Sequence, residues 1–178
     1  GSPEEALAYL NVSTSIEQEY IKELWRLCNL VGFDFRILFA QAAHETADFT
    51  SKWWLERRNP AGIGVTGDPA QNEASHTWAN GIEAARAQIV HMVAYVYGDE
   101  WAREPWHPVL VPLTPFDQYD PRFDAVFEAG FDSSVKGLGD LGSGKWATDP
   151  NYATKIAAKA NAIFKENEVT DTTITFNQ

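Results

Sequence analysis

Cysteine is close to absent. Cys28 is the only one among 178 residues, so no disulfide can form within the chain. Its setting, LWRLCNLV, suits a small core residue on a helix. Basic residues are scarce too: 14 Lys and Arg face 25 Asp and Glu, a net charge of -11. That balance excludes general binding to nucleic acid or to anionic membranes, both of which require a basic face. Apolar runs fall far short of the ~20 residues that span a bilayer. The opening residues form no charged and apolar leader, and Gly1-Ser2 reads as a cloning remnant, so that an export signal would lie outside the sequence. Aromatics, by contrast, are abundant. Seven Trp, six Tyr and ten Phe exceed the needs of one core, so some are expected at a binding surface. The length suits a single domain over 1–178.

Helix-start signals recur along the chain. Ser2-Pro3-Glu4-Glu5 supplies a cap, a first-turn proline and a capping-box glutamate. Ser15-Ile16-Glu17-Gln18 opens a helix to about Val31, with Tyr20, Leu24 and Leu27 at helical spacing. Gly32 ends it, and Asp34 caps the next, Phe35 to about Thr46. Asn80 opens a helix to Tyr97, and Asp149-Pro150 opens one to about Lys165. Short helices are expected near 121–129 and 133–141. Residues 56–79 are rich in Gly, Pro, Asn and Asp and read as an ordered loop or short hairpin. Four prolines within 99–120 exclude a regular helix there. The tail, 166–178, reads as a strand or a linker. The fold class is α+β, mainly α, with long functional loops.

One stretch carries chemistry: AQAAHETADF, residues 40–49. Leu38, Ala42 and Glu45 share a helix face, so Glu45 continues an apolar stripe at the helix's carboxyl end. Low solvation and the negative helix terminus both raise a carboxyl pKa. A carboxylic acid protonated near neutral pH can donate to a leaving oxygen. The bland alternative is a rim glutamate. A third reading takes His44, Glu45 and Asp48 as a variant zincin helix, but the chain offers no clear third ligand. Downstream, WWLERRNPAGIG supplies Trp53 and Trp54 as possible sugar platforms. Asn59 and the glycines add a close-approach loop.

These segments resemble the glucosaminidase family of bacterial peptidoglycan hydrolases, family 73 of the glycoside hydrolases. AQAAHETADFTS is similar to the family's block containing the catalytic glutamate. NPAGIGVTG is similar to the segment after it. GKWATDPNYATKI, residues 144–156, is close to the family's Y/W-A-T-D-P-x-Y-A-x-K-I signature and is the most specific. The resemblance covers about 16–164. It implies a lysozyme-like helical domain with a cleft and a small loop or β-hairpin lobe. It also implies hydrolysis of β-1,4 bonds after N-acetylglucosamine in peptidoglycan. Glu45 matches the general acid, Trp146 stands where many members carry tyrosine, and Tyr152 matches the later tyrosine of the motif. His44 departs from an apolar position. Asp149 reads chiefly as a helix cap.

A glycosidase also needs a base, a nucleophile or help from the substrate's N-acetyl group. Glu73 and Asp68 are the candidates, with Glu73 preferred for its reach. The two carboxyls stand ~5–5.5 Å apart in retaining enzymes and ~6.5–9.5 Å apart in inverting ones. No metal and no organic cofactor is implied. The expected partner is the peptidoglycan glycan strand, met by a monomer at the cell wall, outside the cell, or as a phage lysin. Rivals are cleavage on the muramic acid side or of N-glycans, a non-catalytic wall-binding domain, and the metallohydrolase.

Overall fold

The computed structural model describes residues 1–11, 13–64, 76–142, 144–165 and 169. These are mostly helical, in eight α-helices joined by turns and short 3-10 segments. Helix α1 (Pro3–Tyr9) begins with the expected Ser2–Glu5 capping box. The cap of α2 (Ser15–Val31) is Thr14 rather than Ser15. Its hydroxyl accepts from the Ile16 N–H, and the Glu17 carboxylate answers the Thr14 N–H. The capping box is therefore one residue earlier than the sequence suggested. Gly32 closes α2 in the left-handed conformation, φ 81°, where a side chain would be strained.

Helix α3 (Phe35–Glu45), capped by Asp34, is the central element. Its residues Ile37 to Ala43 are all buried, as a helix apolar all round should be. It packs on α2 and on α8 (Tyr152–Ile163), while α2 lies along α5 (Gly81–Val96). Cys28 is buried in this core. Between α3 and α5 the single turn α4 (Lys52–Leu55) is the only α-helix among the described residues. The proline-rich region folds into a 3-10 turn at Gly98–Ala102, the four-residue α6 (His107–Leu110) and further 3-10 turns, with no long helix. Helix α7 (Phe123–Glu128) appears as expected, whereas 133–141 yields only the 3-10 segment Leu138–Gly142.

Residues 56–64 and 76–79 form turns and loop, the ordered-loop alternative for that stretch, and an isolated bridge at Gly137 is the only β feature among the described residues. Residues 65–75, with Asp68 and Glu73, lie outside the described residues, as does 170–178 of the tail. Helix α8 starts at Tyr152, not Pro150, and Asn151 precedes it without a side-chain cap. Asp149 instead accepts from the Asn151 N–H at 2.9 Å and the Lys155 ammonium at 2.5 Å. It holds the turn before the helix.

Candidate active site

The α3 helix runs out at Glu45, and the chain then makes an unusual turn. Ala47, Asp48 and Phe49 are all left-handed, φ 50°, 57° and 64°, a conformation costing ~1–2 kcal/mol for each non-glycine residue. The Thr46 hydroxyl anchors the turn, donating to the Ala42 carbonyl (2.7 Å) and accepting from the Phe49 N–H (2.9 Å). Phe49 is thereby driven into the core against Tyr20, Phe39 and Trp54. The helix stops with Glu45 half-buried at its end.

Three segments far apart in sequence meet at this carboxyl. The Tyr152 hydroxyl, from the start of α8, donates to Glu45 Oε1 at 3.1 Å. From the 59–64 loop comes Gly62, φ 67°, so close that a Cβ there would stand 2.9 Å from Glu45 Oε2. Trp146, half-buried, donates its indole N–H to the Ala61 carbonyl at 3.1 Å and so ties the third segment to the second. Its ring packs edge-on against His91 and tilted against Tyr95 of α5. Beneath it, His91 Nδ1 and the fully buried Asp120 are 2.7 Å apart. Burial raises the Glu45 pKa, and the Tyr152 hydrogen bond opposes that rise. Burial also lifts the Tyr152 phenol well above its ordinary range, so it stays a donor.

The other residues singled out from the sequence fall in different places. Trp54 is fully buried, its indole N–H donating to Glu17 at 3.0 Å. It is core, and cannot stack on a sugar. Asn59 is also buried: its amide donates to the Ile63 carbonyl and accepts from the Ala61 and Ile63 N–H groups. It shapes the loop instead of facing a ligand. Tyr152 is buried with its hydroxyl turned to Gln41 and Glu45, so it orients the Glu45 carboxyl. Trp53 is half-buried with Lys52 and Arg57 about its ring at 5.3 and 5.2 Å. Asp68 and Glu73 lie outside the described residues; on either side of them Gly64 and His76 are close, a Cβ on Gly64 standing 2.5 Å from His76 Nε2.

The zincin geometry does not form. Helix α3 ends before Asp48, whose carboxylate binds Tyr9 and Lys159, while the His44 ring lies edge-on to Tyr152. Among the described residues no cluster of His, Cys, Asp and Glu is arranged to hold a metal ion. Sequence reasoning missed Gln41 and Gln88, both buried near the site. The available signal was a lone amide inside each of two apolar helices, LFAQAA and RAQIVHM, since an uncharged polar side chain at full burial needs a partner.

Comparison with curated proteins and with solved structures returned no match. A family model described as glucosaminidase, mannosyl-glycoprotein endo-beta-N-acetylglucosaminidase, matches residues 21–165, a span that holds all three segments meeting at Glu45. The chain belongs to the glucosaminidase family, glycoside hydrolases acting on glycans.

Proposed function

We propose that the protein is an endo-β-N-acetylglucosaminidase that hydrolyses the β-1,4 bond after N-acetylglucosamine in peptidoglycan strands. In this reading it works at the cell wall or as a phage lysin. The observation that carries the proposal is the half-buried Glu45, its pKa raised by burial, with a side-chain-free residue beside its second oxygen. Protonated Glu45 gives its proton to the glycosidic oxygen as the bond from that oxygen to the anomeric carbon breaks. Water completes hydrolysis at the anomeric carbon. Its activation falls to Asp68 or Glu73, or to the substrate's own N-acetyl oxygen. The segment carrying both carboxylates is joined to the Gly62 loop, which favours this assignment. Trp146 offers an aromatic wall within the site, and Trp53 is the second candidate platform.

The test is product analysis. Purified, N-acetylated peptidoglycan is digested in the presence of EDTA, the new ends are reduced with borohydride, and the fragments are weighed by mass spectrometry. Reduced N-acetylglucosamine is the expected end. Reduced muramic acid would transfer the enzyme to the lysozyme side. Release of glycans from a mannosyl-glycoprotein but not from peptidoglycan would identify the N-glycan as substrate. Binding without cleavage of either would leave only a carbohydrate-binding domain.

A further inference from the structure

Behind Glu45 runs a line of buried side chains with one direction of donation. Tyr20, from α2, gives its hydroxyl proton to the Gln88 side-chain oxygen. Gln88 Nε2 donates to the Leu38 carbonyl (2.9 Å) and to Gln41 Oε1 (3.1 Å). Gln41 Nε2 donates to the Tyr152 hydroxyl at 3.2 Å, and Tyr152 donates to Glu45 Oε1 at 3.1 Å. Tyr20, Gln41, Gln88 and Tyr152 are all essentially inaccessible to water.

The direction is not arbitrary. A backbone carbonyl has no proton to give, so the Leu38 oxygen forces the amide nitrogen of Gln88 toward itself. The same nitrogen then faces Gln41, which must present its oxygen there and its own nitrogen to Tyr152. With an N–H directed at its lone pair, the single proton of Tyr152 is left pointing at Glu45. Reversing any member would leave buried groups unpaired, at ~1–3 kcal/mol each.

We infer that Gln41 and Gln88 are positioning residues that fix which oxygen of Glu45 carries its proton. Oε1 is permanently occupied as an acceptor, so the proton resides on Oε2, the oxygen beside Gly62. The acid thus offers its proton on the side kept clear by the missing side chain. The consequence for catalysis rests on the proposed role of Glu45, whereas the proton's location does not. Among the described residues no member of the line other than Glu45 is charged; Glu17 stands one residue beyond it, accepting from the indole of Trp54, which packs on Tyr20. Lys155, Lys159 and Asp149 act on His44, whose ring lies edge-on to Tyr152.

Neutron diffraction from deuterated wild-type crystals grown at acid pH locates the proton directly. The expected result is deuterium on Glu45 Oε2, with the Tyr152 deuterium directed at Oε1. Deuterium on Oε1, or a Tyr152 hydroxyl turned toward Gln41, overturns the inference. In solution, the carboxyl titration of Glu45 is followed by carbon NMR in glutamate-labelled protein, its signal assigned by its loss in Glu45→Gln. Tyr152→Phe should move the midpoint to higher pH, and Gln41→Met should move it the same way by less. In the Tyr152→Phe background Gln41→Met should add nothing. An unmoved midpoint in Tyr152→Phe, or an undiminished Gln41→Met shift in that background, contradicts the assignment. Both measurements hold even if no glycan is cleaved, an outcome that would defeat the proposed function alone.

Discussion

Two opposing effects meet at the Glu45 carboxyl: burial, which raises its pKa, and the Tyr152 hydrogen bond, which restrains the rise. Activity that needs the protonated form is full below the folded-state pKa and falls as pH rises through it. Stability falls with rising pH in the same direction. Because the folded pKa lies above the unfolded one, the ionised carboxylate destabilises the fold; the penalty is absent below the unfolded value of ~4.3 and complete above the folded value. Glu45→Gln should therefore be more stable than wild type in urea at pH 7, an advantage that vanishes near pH 4. An equal midpoint at both pH values would mean that Glu45 is no more desolvated than a surface residue. Gly62 supplies a second prediction. An alanine there meets both a left-handed backbone, φ 67°, and Glu45 Oε2 at 2.9 Å. It should lose roughly 1 kcal/mol of stability and on the order of a hundredfold or more in turnover, since misplacement near the reacting atoms is costly. Urea unfolding and an initial-rate assay read the two effects separately.

Element boundaries explain what the sequence could disclose. Caps are local, so Ser2, Asp34 and Asn80 announced their helices correctly. Asp149-Pro150 carried the same local signal, yet the Asp149 carboxylate went to Lys155 and the turn, a choice set by three-dimensional neighbours. Trp54 follows the same lesson: it looked like the twin of Trp53, but tertiary packing gave it Tyr20, Phe49 and Glu17. The position of Glu45 at the end of an apolar helix was legible because helical periodicity alone implies it. The hydrogen-bonded line through Gln88, 47 residues from Gln41, was not, because no local pattern pairs two amides on different helices. The left-handed turn after Glu45 was equally hidden, since HETADFT contains no glycine. Ala47 in that turn is exposed and at φ 50°. Ala47→Gly should relieve strain and stabilise the fold by about 1 kcal/mol, measured as a higher urea midpoint at unchanged slope.

At the scale of the whole molecule, charge bears on approach to the proposed substrate, the cell wall. A protein at -11 is repelled by walls rich in anionic polymers, over a range that shrinks from ~30 Å at 0.01 M salt to ~8 Å at 0.15 M. Lysis of intact, polyanion-bearing walls should rise several-fold across that interval. Digestion of the same wall stripped of its anionic polymers should not. No helix among the described residues is long and apolar enough to cross a membrane. Three segments of the family-matched span converge on Glu45, the group to which the proposed chemistry is assigned.

The most direct measurement is therefore the rate of peptidoglycan cleavage by Glu45→Gln beside wild type, at a pH where wild type is fully active and with EDTA present. Loss of a general acid predicts a fall of roughly 10²–10⁴-fold in a variant that remains folded by circular dichroism. Cleavage at the wild-type rate would contradict the account, returning Glu45 to the rim of its helix and leaving the chemistry to other residues.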